Sequence, residues 1–244
     1  MSSIQPLDDA VHRDVRIRAG YGPNLWPPHQ MVPVVLSEFA KAGGCYPIFL
    51  TKHPATGRFE FSVLLGIAPS ENLFIDAAGN WDGYVPLSVR RHPFGVGIRK
   101  SGPVISGDGQ LITIDLESPR VGYEQGDSIF LEQGGHAPIL QRANEALMAL
   151  VDGAAQSDQF VRLLLELELV EPIQVTASLD SGKRLELEAL YTINEERVRA
   201  LPDDVAGEFN RNGALKLIYT QIQSLQKFDA LVALKNRHAA GVLA

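Results

Sequence analysis

The densest group of side chains that could recognise or transform a ligand lies between residues 80 and 94. It combines an indole, a carboxylate, a phenol, two guanidiniums and an imidazole: Trp81, Asp82, Tyr84, Arg90, Arg91 and His92. Guanidiniums bind carboxylates and phosphates through paired N–H donors, and aromatic faces bind apolar or planar groups. The segment therefore predicts a binding site for a small anionic molecule or a peptide end. The alternative is structural: Asp82 and Arg91 would form an ion pair below a loop, with Trp81 and Phe94 in the core.

His92 adds a catalytic alternative to the same segment. An imidazole titrates near neutral pH, so His92 could act as an acid or base while Arg90 or Arg91 holds an anionic substrate. Cys45 is the chain's one cysteine, which excludes an internal disulfide. Its position before a predicted strand is typical of a small buried hydrophobe rather than of a nucleophile. Beyond this, the sequence identifies no catalytic residue.

Two residues near the N-terminus have the spacing of metal ligands. His12 and Asp14 could hold an iron ion together with a distant third ligand from His53, His92 or His136. The pair lies in a segment that we expect to be extended, where a metal site would lack rigid support. The chain also has no His-Glu-x-x-His and no paired Cys-x-x-Cys. We therefore predict no metal.

Nucleotide and acyl-transfer signatures are absent from the sequence. There is no Gly-x-x-x-x-Gly-Lys-Ser/Thr to hold phosphates and no Gly-x-Ser-x-Gly to present an activated serine. Gly95 and Gly97 begin a dinucleotide fingerprint, but the third glycine is missing. We therefore expect no cofactor.

The net charge of −7 argues against nucleic acid as a partner, because neutralising phosphates requires a concentrated basic surface. The first ten residues lack the basic and apolar regions of a secretory signal. No apolar run approaches the roughly 20 residues that cross a bilayer. We therefore expect a cytoplasmic protein without membrane insertion.

The elements that would position these side chains begin after residue 30. Residues 1–30 are interrupted by Gly22-Pro23 and Pro27-Pro28, which predicts an extended N-terminal arm. A short helix is expected from Pro33 to Lys41 and should end at Gly43-Gly44. Residues 84–92 fit either a strand or a helix.

The middle of the chain predicts antiparallel hairpins. Strands Tyr46–Thr51 and Phe59–Gly66 flank a loop at 53–57, and a short strand covers Asn72–Asp76. A further hairpin is expected around the turn Ser106–Gly109, with Val104-Ile105 as its first strand and Leu111–Leu116 as its second.

The last third of the chain predicts mostly helices. Apolar residues at three- and four-residue spacing indicate a helix from Pro138 and a second from Ser157 to Leu169, with a loop at 153–157. Two strands, Ile173–Leu179 and Arg184–Ile193, follow. Three helices are then expected, at 195–201, 203–210 and 214–236. The order predicts a single α+β domain over residues 31–244, with a β-rich N-terminal and middle part and a helical C-terminal part packed on the sheet.

Taken in order, several segments resemble the SapC family. They are Val32–Phe39, Tyr46–Phe49, Leu64–Gly66, Glu71–Asp76, Gly83–Pro86, Arg90–Phe94, Leu190–Ile193, Gly213–Leu215 and Tyr219–Leu225. The likeness covers nearly the whole chain from about residue 12, and it rests on the order and spacing of the pieces. Other members commonly carry an aromatic residue in place of His92.

The resemblance implies a bacterial protein whose family is named after a surface-layer gene locus. Many members are encoded near outer-membrane receptors and flavin-dependent halogenase-like enzymes. It implies a non-enzymatic accessory protein of a cell-surface or modification system, which recognises a small molecule, a peptide or a partner such as a halogenase-like enzyme or a surface-system component. An enzyme acting on an anionic small substrate is the first alternative. A structural surface-layer protein is the second, and the lack of an export signal and of Thr/Ser-rich strand repeats disfavours it.

Overall fold

The computed structural model describes residues 4–22, 24–26, 29–98 and 110–241. Its strands are β1 (Ile4–Pro6), β2 (Arg16–Ile17), β3 (Met31–Pro33), β4 (Ile48–Lys52), β5 (Phe59–Leu64), β6 (Phe94–Ile98), β7 (Gln110–Asp115), β8 (Val121–Gly122), β9 (Asp127–Ser128), β10 (Val170–Ser178) and β11 (Arg184–Ile193). Its α-helices are α1 (Asp9–His12), α2 (Phe39–Cys45), α3 (Leu87–Arg90), α4 (Pro138–Glu166), α5 (Glu195–Arg199), α6 (Asp203–Asn212), α7 (Ala214–Ser224) and α8 (Lys227–Ala239). A 3₁₀ turn, Leu36–Glu38, precedes α2. The predicted α+β class is confirmed.

The main sheet has five antiparallel strands in the order β10-β11-β4-β5-β3. Because successive side chains of a strand point to opposite faces, β4 sends Ile48 and Leu50 to one core and Phe49 to another. Helices α4 and α7 cover the first face, and α8 covers the second. Burial on both faces explains the apolar run Ile48–Leu50 of β4.

A second region is built around smaller sheets, β1-β7-β6 and β8-β2-β9. Its core contains Val15, Ile17, Phe94, Ile114 and Leu140. The residues before position 30 therefore contribute paired strands and buried side chains, while the predicted division at residue 30 stays a prediction. The first turns of α4 pack in this core and its last turns pack on the main sheet, so α4 joins the two regions.

Helix α4 corrects one prediction, since the loop expected at 153–157 does not exist. The helix is continuous through these residues. A Cβ on Gly153 would lie 2.8 Å from the Val35 side chain, and Ser157 Oγ accepts a hydrogen bond from Leu36 N at 3.2 Å. The small residues allow α4 to pack closely against the 3₁₀ turn. In the sequence alone, the same run of small residues also indicates a loop.

Several other boundaries differ from prediction. Helix α2 continues through Gly43-Gly44 to Cys45. Gly43 allows α7 to approach closely, since a Cβ there would lie 3.1 Å from the Thr220 side chain. The long C-terminal helix is divided into α7 and α8. Residues 72–76 form an isolated bridge between Ile75 and Trp81 rather than a strand.

The predicted hairpin strand Val104-Ile105 and turn Ser106–Gly109 lie outside the described residues. The expected second strand of this hairpin is confirmed as β7, which pairs with β6. Within the described ranges, no helix has the length and apolar character needed to cross a membrane.

Candidate functional site

The predicted site segment passes from the main sheet to the second region, and α3 divides it. Leu87 of α3 packs with Val35 and with Ala146 of α4, which fixes the short helix between the two regions. Trp81 and Tyr84 precede α3, and Arg91 and His92 follow it. The structure therefore separates the predicted residues into two clusters.

The first cluster, here called the anchor cluster, consists of Glu38, Tyr46, Trp81 and Tyr84. Glu38 is 1% exposed. Its Oε1 accepts hydrogen bonds from Tyr84 Oη at 3.0 Å and from Leu87 N at 2.8 Å, and its Oε2 accepts from Val35 N at 3.0 Å. Burial raises the pKa of Glu38, against the effect of these donors and of Arg90. The carboxylate therefore ties the start of α3 to the 3₁₀ turn.

Tyr46 connects the rest of the anchor cluster. Its hydroxyl donates to the Tyr84 carbonyl at 2.5 Å and accepts from Trp81 Nε1 at 2.8 Å. Burial raises the pKa of Tyr46, and burial followed by the Glu38 charge raises the pKa of Tyr84. Both phenols therefore remain neutral donors, and the cluster is internally satisfied.

The second cluster, here called the arginine cluster, consists of Arg91, His92, Ser118 and Arg120. His92 Nε2 lies 2.9 Å from Ser118 Oγ. Arg120, 6% exposed, donates from Nε to the Arg18 carbonyl at 3.1 Å and from Nη1 to the His92 carbonyl at 2.8 Å. Arg91 donates from Nη1 to the Phe94 carbonyl at 2.7 Å. Backbone carbonyls therefore hold both guanidiniums in place.

No carboxylate of the described residues forms an ion pair with the cations of the arginine cluster. Neither Arg91 nor Arg120 forms a salt bridge with a carboxylate of the described residues. Burial lowers the pKa of both groups. Burial, with Arg120 and Arg91 nearby, lowers the pKa of His92 from 6.5 to about 4, and Asp115 opposes this shift. His92 is consequently neutral at pH 7, beside two cations.

Tyr21 lies between the clusters. Its ring meets Trp81 edge to face at 5.4 Å, and the Arg120 guanidinium lies over it at 5.4 Å. On the other side of the arginine cluster, Trp26 contacts the His92 ring at 4.9 Å. Aromatic walls therefore border both the cations and the imidazole.

Asp82 and Arg90 lie outside the arginine cluster, and Arg90 borders the anchor cluster. Both are exposed. The predicted ion pair of Asp82 with Arg91 is not among the salt bridges of the described residues. Arg90 donates to the Val85 carbonyl at 3.0 Å and stacks over Tyr84 at 5.5 Å. The structural alternative is thus wrong about this pair. It is correct in placing Trp81 against the core between the main sheet and helices α4 and α7, and Phe94 in the core of the second region.

Sequence reasoning missed Glu38, Tyr46, Ser118 and Arg120. Glu38 and Tyr46 lie in two of the segments that resemble the family, and a single carboxylate in the apolar run Val32–Phe39 was a usable signal. Ser118 and Arg120 had no local signal, because they meet His92 only through the pairing of β6 with β7 and the turn that follows.

The candidate metal ligands and the cysteine do not form a site among the described residues. No cluster of three metal-ligating side chains is present in the described ranges. His12 is buried with Nδ1 at the Asp8 backbone, while Asp14 is exposed. Cys45 ends α2 and packs partly buried against the first core.

Comparison with known proteins identifies a family. The SapC family model matches residues 7–231 of the 244-residue chain. No curated protein and no solved structure is detectably similar to this chain. The family match spans both clusters.

Proposed function

We propose that this chain, which belongs to the SapC family, is a binding protein that recognises the anionic group of a small molecule or peptide at the arginine cluster. In this role it is a cytoplasmic accessory protein of a cell-surface or modification system, and the ligand can be a free molecule or part of a partner enzyme. In this proposal Arg91, His92 and Arg120 bind the carboxylate or phosphate of the ligand.

The unbalanced cations carry this proposal. Burying a guanidinium without a counter-charge is costly, and buried charges are normally paired. Arg91 and Arg120 are desolvated, are held by carbonyls and have no carboxylate at ion-pair distance among the described residues. An incoming anion would supply the missing charge, and a carboxylate or phosphate suits the two-point geometry of guanidinium donors.

The surroundings support a ligand with an apolar or planar part next to the anionic group. Trp26 and Tyr21 flank the cluster at ring contact distance. Arg91 and His92 are half-buried and Arg120 lies deeper, so the ligand would meet the first two before the third. Neutral His92 can then donate or accept one hydrogen bond, depending on its tautomer.

A thermal-shift screen of the full chain tests the proposal, with inorganic phosphate, succinate and short acidic peptides as probes. A ligand that binds the folded state at a hundredfold excess over its Kd adds about 2.7 kcal/mol of stability. We expect at least one anion to raise Tm, and Arg91→Met to remove the shift. Arg90→Met is the matched control, because it removes a neighbouring exposed guanidinium. A screen without any response, or equal shifts in both variants, contradicts the proposal.

A second candidate function is hydrolysis or acyl transfer, and one observation favours it. The 2.9 Å contact of Ser118 Oγ with His92 Nε2 is the distance of a nucleophile and its base. The lowered pKa keeps His92 unprotonated, as a base requires, and Arg91 and Arg120 could hold an anionic substrate. Ser118 is 5% exposed, which makes binding the leading proposal.

A fluorophosphonate probe separates the two functions. An activated serine forms a covalent adduct at Ser118 that Ser118→Ala and His92→Gln abolish, while anion binding persists in Ser118→Ala. Absence of labelling in a protein that binds anions excludes the serine mechanism.

A further inference from the structure

A groove between the main sheet and α4 borders the edge of β5. Its cavity has a volume of about 600 Å³, which is within the range of ligand sites in proteins. The end of β3, the β4–β5 hairpin and α4 form its walls.

Three consecutive residues of β5 border this groove: Phe59, Glu60 and Phe61. Because successive side chains of a strand point to opposite faces of the sheet, a groove that touches all three lies along the edge of the strand. β4 pairs with these residues on one side, so the groove lies on the β3 side. There β3 pairs only with the later residues of β5. Beyond it, Val34 N donates to the Phe61 carbonyl at 2.9 Å.

The backbone N–H and C=O of Phe59 point to this open edge. Leu64 N donates to the Pro47 carbonyl at 3.0 Å, on the β4 side. The Arg58 carbonyl accepts from His53 N at 2.8 Å, also on the β4 side. Since residues of an antiparallel strand alternate between the two neighbours, the polar groups of Phe59 face the other way. Neither has a hydrogen-bond partner among the described residues, and together they match an extended peptide backbone.

Helix α4 supplies an apolar wall beside this edge. Leu150 is half-buried, while Ala154 and Ala155 are exposed, so their short side chains leave the groove open to solvent. A residue paired with Phe59 would direct its side chain to the same face as the Phe59 ring. That face is the one covered by α4. An apolar side chain at this position would therefore lie against α4.

Charge at one end of the groove sets the direction of such a peptide. A strand that continues β3 runs antiparallel to β5, so its C-terminal end reaches the β4–β5 hairpin. There Arg58 borders the groove, is exposed and forms no salt bridge with the described residues. Of the carboxylates, Asp158 pairs with Arg162, and the alternation of β5 directs Glu60 to the face opposite α4. A carboxylate at the C-terminal end of the peptide would complement Arg58.

We propose that this groove binds an extended peptide segment of a partner protein, which adds a strand to β5, places an apolar side chain on α4 and presents a carboxylate to Arg58. The carboxylate is the C-terminus of that protein or an acidic side chain. The groove shares no residue with the arginine cluster, and its proposed role stands or falls separately.

A fluorescein-labelled peptide, Thr-Val-Thr-Val-Thr with a free C-terminus, is a suitable probe. Its β-branched residues favour an extended backbone, and its second-last residue would pair with Phe59. Fluorescence anisotropy with the full chain measures the affinity. The backbone amide signal of Phe59 in a nitrogen–hydrogen correlation spectrum reports on the contact. We expect saturable binding and a saturable shift of this signal.

Modified peptides test the strand pairing and the carboxylate. N-methylation of the second-last residue removes the donor to the Phe59 carbonyl, and should weaken binding about tenfold or more. N-methylation of the last residue is the matched control, because that N–H points away from β5. A C-terminal amide should also weaken binding. An amide peptide that ends in glutamate restores binding if the carboxylate is an acidic side chain, and does not if it is the C-terminus.

Protein variants complete the test. Arg58→Met should weaken binding about tenfold, and Arg184→Met, at an exposed position of β11, should not. Ala154→Trp fills the groove from an exposed position, so it should fold and lose binding. Gln156→Trp, exposed on α4 outside the groove, is its control.

The proposal is overturned if the Phe59 amide does not respond, or if both N-methylated peptides bind equally. It is also overturned if the amide ending in threonine binds as tightly as the free acid, or if Arg58→Met or Ala154→Trp binds as the natural chain does. Solvation of the open edge by water alone would produce the first of these results.

Discussion

The anchor cluster and the arginine cluster lie at the two ends of one short helix, yet they treat buried charge in opposite ways. In the anchor cluster, the carboxylate of Glu38 receives three hydrogen bonds from within the chain. In the arginine cluster, two guanidiniums are desolvated and no salt bridge to the described residues offsets them. The first arrangement is satisfied within the chain, and the second has no ion-pair partner among the described residues.

This difference indicates a structural role for the anchor cluster and supports the proposed binding role of the arginine cluster. A satisfied buried charge rigidifies its surroundings, and removing it is strongly destabilising. A buried charge without such partners lowers the stability of the folded state. The two clusters should therefore respond to mutation in different assays: the anchor cluster in stability, and the arginine cluster in binding.

Glu38→Ala should give the largest effect. The substitution leaves Tyr84 Oη, Leu87 N and Val35 N without their acceptor, and each unsatisfied buried group costs about 1–3 kcal/mol. We expect a loss of about 3–5 kcal/mol in the free energy of unfolding, measured by urea denaturation. Glu124→Ala, at an exposed position, is the control. A loss below about 1 kcal/mol would show that Glu38 is not an anchor.

The pH dependence of stability should have opposite signs in the two clusters. The pKa of His92 falls from 6.5 in the unfolded chain to about 4 in the folded one. Its contribution is present above pH 6.5 and is lost as the pH falls towards 4. Allowing for partial solvent screening, the loss is about 1–2 kcal/mol. The raised pKa of Glu38 acts in reverse: its contribution is present at low pH and is lost as the pH rises through the folded value.

Denaturation of the natural chain, His92→Gln and Glu38→Gln across this pH window separates the two contributions. His92→Gln should weaken the loss of stability on acidification, and Glu38→Gln should strengthen it. If the unfolding free energy depends on pH in the same way in all three proteins, the two clusters do not differ in their electrostatic contributions.

Tyr46→Phe should have a smaller effect within the anchor cluster. It removes the donor to the Tyr84 carbonyl and the acceptor for Trp81 Nε1, at a cost of about 1–2 kcal/mol. Trp81 fluorescence should also change, because its N–H loses its partner. Tyr123→Phe, at a phenol that is 64% exposed, should change neither quantity.

Arg91→Met should have the smallest effect on the stability of the ligand-free protein. It removes one hydrogen bond to the Phe94 carbonyl, but also a desolvated cation. The two effects oppose each other, so we expect a change within about 1 kcal/mol by urea denaturation. A loss as large as that of Glu38→Ala would mean that the cation is balanced within the chain.

The sequence predicted the parts of the fold that depend on local pattern. The predicted strands Ile173–Leu179 and Arg184–Ile193 correspond to β10 and β11, which pair with each other. Gly153 was misread because small residues produce the same signal for a loop and for close helix packing. Contacts distant in sequence decide between these two, and pattern alone does not contain them.

The candidate site was predicted by residue type and not by arrangement. Trp81, Tyr84, Arg91 and His92 do occupy structured polar clusters, but the separation by α3 could not be foreseen while residues 84–92 fitted either a strand or a helix. The carboxylate of Glu38 and the guanidinium of Arg120 reach these clusters from 46 and 28 residues away. Tertiary packing therefore set which charges were balanced.

Arginine side-chain NMR tests the central claim most directly. Nitrogen–hydrogen correlation spectra of the Nε–H groups would be recorded while the full chain is titrated with inorganic phosphate and, separately, with succinate. The account predicts saturable shifts of the Arg91 and Arg120 signals with at least one anion, and affinity about tenfold or more weaker in Arg91→Met. Shifts that do not saturate, or that equal those of exposed Arg90, would contradict an anion site in the arginine cluster.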